Sequence, residues 1–239
     1  MSEIMEYKSG VLFIATGEFY TNCAIKAAYS VAKSNPTLPI AIFTDQTVTD
    51  SVFASVGHIA NPHFRSKLDY LNHSPFEQTL YLDSDVRVVN GLEELFRLLE
   101  RFELAAAHVR YRFANRRLRT WNLDLPRSFP QLNCGVLLYR NSPDVKKLFA
   151  DWSSAFQAGN FKHDQFVFRE LLWLSSVRFY VFGPEYNTRS LTYGLLPSKI
   201  PQPVILHLKG FHARNRIGKF ITRMKLLPTQ LRIWMQRGN

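Results

Sequence analysis

Two carboxylates at the end of an apolar run are the first chemistry this sequence offers. Leu80-Tyr81-Leu82 leads directly into Asp83-Ser84-Asp85. Two acids one residue apart repel unless a proton or a cation lies between them. Hard divalent ions take oxygen ligands and keep positions open for phosphate oxygens. A cation held there would neutralise a departing diphosphate. An Asp-x-Asp alone is common, and its weight here comes from the apolar run that delivers it. Later in the chain, Asn133 opens Asn133-Cys134-Gly135-Val136, Asp164-Gln165 follows His163, and His207 lies in Leu206-His207-Leu208-Lys209. Asn133 and Asp164 also fit as cap or turn residues, His207 as a satisfied core histidine, and Lys67 as part of a solvated helix face.

The elements that would position these groups alternate in type. Val11 to Thr16 is a short apolar run ending at Gly17, the pattern of a strand buried on both faces. Cys23 to Ser34 follows at helical spacing and is ended by Pro36 and Pro39. Ile40 to Thr44 reads as a second strand ending at Asp45. This opening predicts a parallel pair with a crossover helix. Arg65 to Leu71 reads as a short helix carrying Lys67, Thr79 to Leu82 as the strand that delivers the acids, Leu92 to Phe102 as a helix and Leu104 to Val109 as a strand. Val136 to Tyr139 is a further buried strand. Ser142-Pro143 then starts a helix whose apolar face is Val145, Leu148, Phe149, Trp152 and Phe156. A helix from about His163 to Leu174 and strands at Val177–Phe182 and Val204–Leu208 complete the series. The expectation is an α/β chain with a mixed sheet flanked by helices and its ligands at the carboxyl ends of the strands.

Charge divides the chain in a different way. The 239 residues carry a formal charge of +11, but all the acidic residues lie at or before Glu185, and residues 186–239 hold ten Lys or Arg and no acid. The body is nearly neutral, and the end of the chain suits an anionic partner. Ile217, Phe220, Ile221, Met224 and Leu227 recur at helical spacing, with Arg216, Lys219 and Arg223 opposite. Such a basic amphipathic helix suits an anionic membrane surface, or packs on the body with its basic face in water. The expected division is a body over 1–210 and a basic tail over 211–239. Between the acid-bearing strand and Asn133, Arg110, Arg112, Arg116, Arg117, Arg119 and Arg127 fall in a stretch without period. Its arginines could grip an anionic or carbohydrate ligand, or simply be solvated. Two cysteines, Cys23 and Cys134, make neither a zinc spacing nor a disulfide framework. With no signal-peptide pattern and no apolar run of spanning length, the expected location is cytoplasmic, at most peripheral at the inner face of a membrane.

Taken in order, these segments resemble nucleotide-sugar glycosyltransferases of the GT-A fold. They are most similar to family 8, which includes glycogenin and lipooligosaccharide galactosyltransferases. The resemblance rests on Ile14-Ala15-Thr16-Gly17, on Arg65-Ser66-Lys67-Leu68 with Pro75 to Asp85, on Leu132 to Leu138, on His163-Asp164-Gln165 and on Ile205 to Gly210. It spans about residues 11–210. It departs from the family at Gly17, where many members have an acid, and after the late His motif, where Lys-Pro-Trp is missing. The resemblance implies a GT-A type Rossmann-like mixed sheet and transfer of a sugar from a nucleotide-diphosphate sugar, a UDP-sugar above others, to a glycan or lipid-linked acceptor with retention. It implies Mn²⁺ (or Mg²⁺) on Asp83, Asp85 and His207. Thr16, Gly17 and Asp45 would line the nucleoside pocket. Lys67, Ser84 and Lys209 would meet the donor, Lys209 as the diphosphate clamp. Asn133, Asp164 and Gln165 would face the transferring sugar and acceptor.

Two other classes remain open on the sequence alone. Net charge would suit a nucleic-acid-binding or processing protein, but no recognition module is evident and the body is near neutral, so nucleic acid is not the expected partner. A sugar nucleotidylyltransferase shares the α/β type, but its Gly-rich, Arg-containing phosphate loop is missing after the first strand.

Overall fold

A computed structural model describes residues 7–109, 121–159, 161, 163–189, 202–214, 217–218 and 221–222. Its centre is a seven-stranded mixed sheet. The strands in chain order are β1 (Ser9–Ala15), β2 (Ile40–Thr44), β3 (Ser55–His58), β4 (Gln78–Leu82), β6 (Leu104–His108), β7 (Leu132–Arg140) and β8 (Phe179–Phe182). They lie side by side as β3-β2-β1-β4-β7-β6-β8. The first four neighbours are parallel, β7 runs antiparallel between β4 and β6, and β8 returns parallel to β6. A separate antiparallel pair joins β5 (Val86–Val88) to β9 (Ile205–His207).

The sheet is buried on both faces, which explains why its central strands read as continuous apolar runs. Val11, Phe13, Leu80, Leu82, Val136 and Leu138 point into one core, with Ala24, Ala27, Ala28 and Val31 of α1 (Glu18–Ser34). The small residues of α1 let its backbone lie close to the sheet. Leu12, Tyr81, Leu137 and Tyr139 point the other way, against α4 (Pro143–Gly159) and α5 (Gln165–Leu174). The apolar face foreseen for α4, from Val145 to Phe156, is the buried one. Each such aliphatic side chain contributes roughly 1.5–3 kcal/mol, so this two-faced core anchors the strand ends on which the site is built.

Several boundaries differ from the sequence reading. Helix α1 begins at Glu18, five residues before Cys23, because Gly17 turns the chain directly out of β1 with a positive φ of 78°. The expected Leu92–Phe102 helix is a single α-turn, α3 (Glu93–Phe96), followed by a 3₁₀ turn at Arg97–Glu100. Arg65–Leu71 narrows to α2 (Lys67–Tyr70) and a further 3₁₀ turn. Strands β3 and β5 are short and largely polar or isolated, and their sequences gave no period to read. Of the arginine-rich stretch, residues 110–120 lie outside the described residues, while Arg127 is described and exposed. Of the amphipathic tail, only 217–218 and 221–222 are described. They are helical, and Thr222 packs against Gly210, where a Cβ would run into it.

Candidate active site

Strand β4 ends at Leu82, and the chain turns so that Asp83 and Asp85 both remain at its carboxyl end. Two pairings fix this turn. Asp83 N–H donates to Gly135 O at 2.8 Å, continuing the β4–β7 ladder. Val86 pairs with His207 in the small sheet, and Leu208 N–H donates to Asp85 O at 3.0 Å. β7 therefore places Asn133–Gly135 across from Asp83, and β9 carries His207 to Asp85. One ligand atom from each of Asp83, Asp85 and His207 lies within 4.8 Å of the others.

Gly135 is needed at this point. A Cβ there would stand 2.5 Å from Asp83 Oδ2 and strike the His207 ring. The backbone of β7 is the floor of the site.

A chain of amides orients His207. Asn133 is 1% exposed, and its Oδ1 accepts from Gly135 N–H at 3.2 Å and from Asn187 Nδ2 at 2.9 Å. Asn187 must then turn its Oδ1 to His207, where it accepts from Nδ1 at 2.8 Å. The proton is thereby fixed on Nδ1, and Nε2 faces Asp85 Oδ1 at 3.1 Å. A lone pair on Nε2 facing a carboxylate oxygen needs a cation or a second proton between them. Burial pushes the Asp85 carboxyl up, but His207, then His212 and Arg189, outweigh it and hold it down at about 2. Asp85 is therefore ionised at neutral pH.

A second network lies beside the first. Lys67 is 8% exposed, with Nζ at 3.5 Å from both Asp83 Oδ1 and Asp164 Oδ2, and it donates to Cys134 O at 3.0 Å. Burial works against its charge, yet Asp83 and Asp164 together hold the ammonium above its ordinary value. Asp164 is 4% exposed and also meets Arg65 at 3.7 Å. Burial pushes its carboxyl up, but Lys67 and Arg65 bring it below the ordinary carboxylate value. Tyr81 donates its hydroxyl to Asp83 Oδ1 at 2.5 Å. Asp83 and Asp164 thus share two permanent cations, Lys67 and Arg65, while Asp85 is acted on by Arg189 and the two histidines. The donor set, two hard oxygens and an imidazole with its outer nitrogen already bonded, fits a divalent ion such as Mn²⁺.

These groups border an open cleft of about 390 Å³. Thr16, Lys67, Asp83, Ser84 and Asp85 line it, as do residues the sequence reading did not single out, among them Tyr20, Phe64 and His212.

No protein-family model matches the chain, and no curated protein matches its sequence. Its fold is similar to several solved structures. The galactosyltransferase LgtC, solved with donor and acceptor sugar analogues, matches at a TM-score of 0.63 and 14% identity, over 90% of this chain and 95% of LgtC. The glycosyltransferase GlyE of Streptococcus pneumoniae TIGR4 matches at 0.60 and 18% identity, over 98% of this chain. The chain spans only 64% of the length of GlyE. Mouse xyloside xylosyltransferase 1 matches at 0.56 and 12% identity, over 84% of this chain and 97% of the mouse protein. The chain has the GT-A glycosyltransferase fold. The expected mixed α/β sheet flanked by helices is the one observed.

Within this GT-A fold most of the sequence-predicted residues gather around one end of strand β4. Asp83, Asp85 and His207 converge, and Lys67, Asp164 and Asn133 pack directly behind them. Gly17 and Asp45 meet each other beside the cleft: Gly17 N–H donates to Asp45 Oδ1 at 2.7 Å. Burial raises the Asp45 carboxyl, but hydrogen bonds from Gly17 and Gln46 leave it lowered overall. Gln165 opens α5 next to Asp164. Lys209 stands apart, exposed at the start of the 3₁₀ turn Lys209–His212. Cys134 is a buried core thiol, and burial pushes its pKa well up.

The sequence reading missed Asn187, His212 and Arg65 as site residues. Asn187 sits in a segment without period, and Arg65 opened the expected Arg65–Leu71 helix but was given no role of its own. His212 carried one signal, its place five residues after His207.

Proposed function

We propose that this protein is a metal-dependent glycosyltransferase that moves a sugar from a nucleotide-diphosphate sugar, most simply a UDP-sugar, to a glycan or lipid-linked acceptor, with retention. The observation that carries the reading is the convergence of Asp83, Asp85 and His207, the first two lining the cleft, at the carboxyl end of the strand where open α/β sheets bind ligands. The GT-A likeness supports it, since LgtC is a galactosyltransferase.

In this reading Asp83, Asp85 and His207 hold Mn²⁺ or Mg²⁺. A divalent cation there supplies positive charge to the departing diphosphate. Asn187 and Asn133 act through His207 as positioning residues, because both are buried and their oxygens are engaged. Asp164 holds Lys67 and Arg65 in fixed positions beside the cleft, so that two cationic heads stand near Asp83 without having to be recruited. Such prearranged charge stabilises a developing anion without reorganisation at the moment of reaction. Gln165, at the first turn of α5, is the amide available for a sugar hydroxyl, and Thr16, Gly17 and Asp45 form the nucleoside end.

The body proposed for this chemistry is 1–210, completed by the turn through His212. The basic tail is proposed to meet an anionic membrane surface. Ile217 and Ile221, one helical turn apart, are 71% and 45% exposed, as an interfacial apolar face requires. No helix among the described residues is long and apolar enough to cross a membrane.

The test is transfer and hydrolysis with a panel of UDP-sugars, with and without Mn²⁺, followed by product anomer assignment by NMR. Turnover by at least one donor that disappears in chelator and in Asp85→Ala supports the reading. Full activity in chelator removes the metal from it, and no turnover or binding with any nucleotide sugar removes the function.

A further inference from the structure

Resting on the nucleotide-sugar reading, we infer that His212 is the side chain that contacts the donor's diphosphate at the Asp85 end of the cleft, the role that the sequence resemblance gives to Lys209.

Several basic groups near the site already have partners: Arg65 lines the cleft but meets Asp164 at 3.7 Å, and Arg189 acts on Asp85 without lining the cleft. Lys67 is shared among Asp83, Asp164 and Cys134 O. Arg87 stacks over Phe211 at 4.7 Å, and Arg214 over Phe19 at 4.4 Å. Lys209 is exposed and is not among the residues that line the cleft. The same turn brings His212 inward. Its Nε2 lies 2.9 Å from Ser84 Oγ, between the two acids in sequence. When Ser84 donates there, the proton of the neutral ring sits on Nδ1, which lies 4.0 Å from Asp85 Oδ2, beyond hydrogen-bond reach. The ring is held edge-on against Tyr20, 5.0 Å between centroids, and Tyr20 also borders the cleft. A packed, partly exposed N–H donor thus stands beside Asp85. An anion bound to a cation on Asp83 and Asp85 would lie beside this donor. A hydrogen bond to such a charged group outweighs a neutral one. Nothing in the arrangement depends on protonating His212.

Isothermal titration tests this on the full chain, with Mn²⁺ alone and then with UDP, GDP, CDP or ADP in saturating Mn²⁺. Wild type is expected to bind at least one of these nucleotides. His212→Ala is expected to weaken that nucleotide about tenfold or more, while Mn²⁺ alone binds within about twofold of wild type. His212→Phe keeps the ring against Tyr20 and removes the N–H. It is expected to show the same loss, and it answers the question if His212→Ala fails to fold by circular dichroism. Equal nucleotide binding by wild type and His212→Phe overturns the inference. An equal drop in Mn²⁺ affinity also overturns it, because His212 would then belong to the metal site. A loss at Lys209→Ala matching that at His212 returns the role to Lys209. If wild type binds none of the four nucleotides, the donor reading itself fails and the role of His212 fails with it.

Discussion

His207 and Asn187 are joined by a hydrogen bond from His207 Nδ1 to Asn187 Oδ1, 2.8 Å long, and that bond decides which nitrogen is presented to Asp85. Asn187 has no freedom to flip, because its amide nitrogen is spent on Asn133 Oδ1, which also accepts from the backbone of Gly135. A backbone N–H of β7 therefore sets the tautomer of a histidine on β9 through two amides. Outer partners of this kind typically alter metal affinity by about 10–100-fold when removed. Asn187→Leu is expected to weaken Mn²⁺ binding by about that factor with the fold retained. Manganese electron paramagnetic resonance on the free ion measures it, and unchanged affinity would remove Asn187 from the site.

Gly135 offers a steric test of the same place. In Gly135→Ala the new Cβ meets Asp83 Oδ2 and His207, and the surrounding strand β7 is buried and cannot yield cheaply. Metal binding is expected to fall at least tenfold, about 1.4 kcal/mol or more, in the same titration. Wild-type affinity in Gly135→Ala would mean that the three ligands do not close on that floor.

Asp164 links stability to pH. Its carboxyl is held below the ordinary value by Lys67 and Arg65, against the opposing effect of burial. The stabilisation is therefore complete above the unfolded carboxylate value of about 3.9 and disappears as pH falls through the lower folded value. Asp164→Asn leaves Lys67 and Arg65 without this partner and is expected to cost roughly 3 kcal/mol or more at pH 7, with a flatter acid limb. Urea midpoints across pH 2–7 would show it. Parallel acid limbs for both proteins would contradict the assignment.

The buried pair Arg169 and Glu170 on α5 ties down the approach to β7. Glu170 accepts from the backbone N–H groups of Trp121 and Asn122, and Arg169 donates to Pro126 O and Phe129 O. Glu170→Ala leaves two backbone donors without their acceptor and is expected to cost about 1–3 kcal/mol. A thermal melt with wild-type midpoint would show that the segment holds itself.

The tail is tested without removing it, since His212 belongs to the cleft. Ile217→Asp with Ile221→Asp is expected to lower co-sedimentation with anionic vesicles severalfold, and neutral vesicles are expected to bind both proteins more weakly than anionic vesicles bind wild type. Equal sedimentation by wild type and variant would set the membrane reading aside.

The sequence made the strongly periodic parts legible and left the bridging parts hidden. β1, β4 and β7 were visible because burial on both faces demands apolar runs, and α4 because its face repeats at helical spacing. Asp83, Asp85 and His207 were legible as types in motifs, but their convergence depends on the two-strand pairing of Val86 with His207, which three-residue strands cannot announce. Asn187 was hidden for the same reason: it sits in a 3₁₀ turn, Pro184–Asn187, and its importance is a contact, not a pattern. Lys209 and His212 show the limit of spacing arguments, since a single tight turn decides which of two basic residues faces inward.

The central claim is that Asp83, Asp85 and His207 hold the cation that receives a nucleotide diphosphate. Anomalous diffraction at the manganese edge, from crystals of the full chain soaked with Mn²⁺ and UDP, tests it most directly. The account expects one strong peak in direct contact with all three side chains, with diphosphate oxygens beside it and His212 within hydrogen-bond distance. A peak elsewhere, or a nucleotide bound away from the Asp83–Asp85 turn, would contradict it.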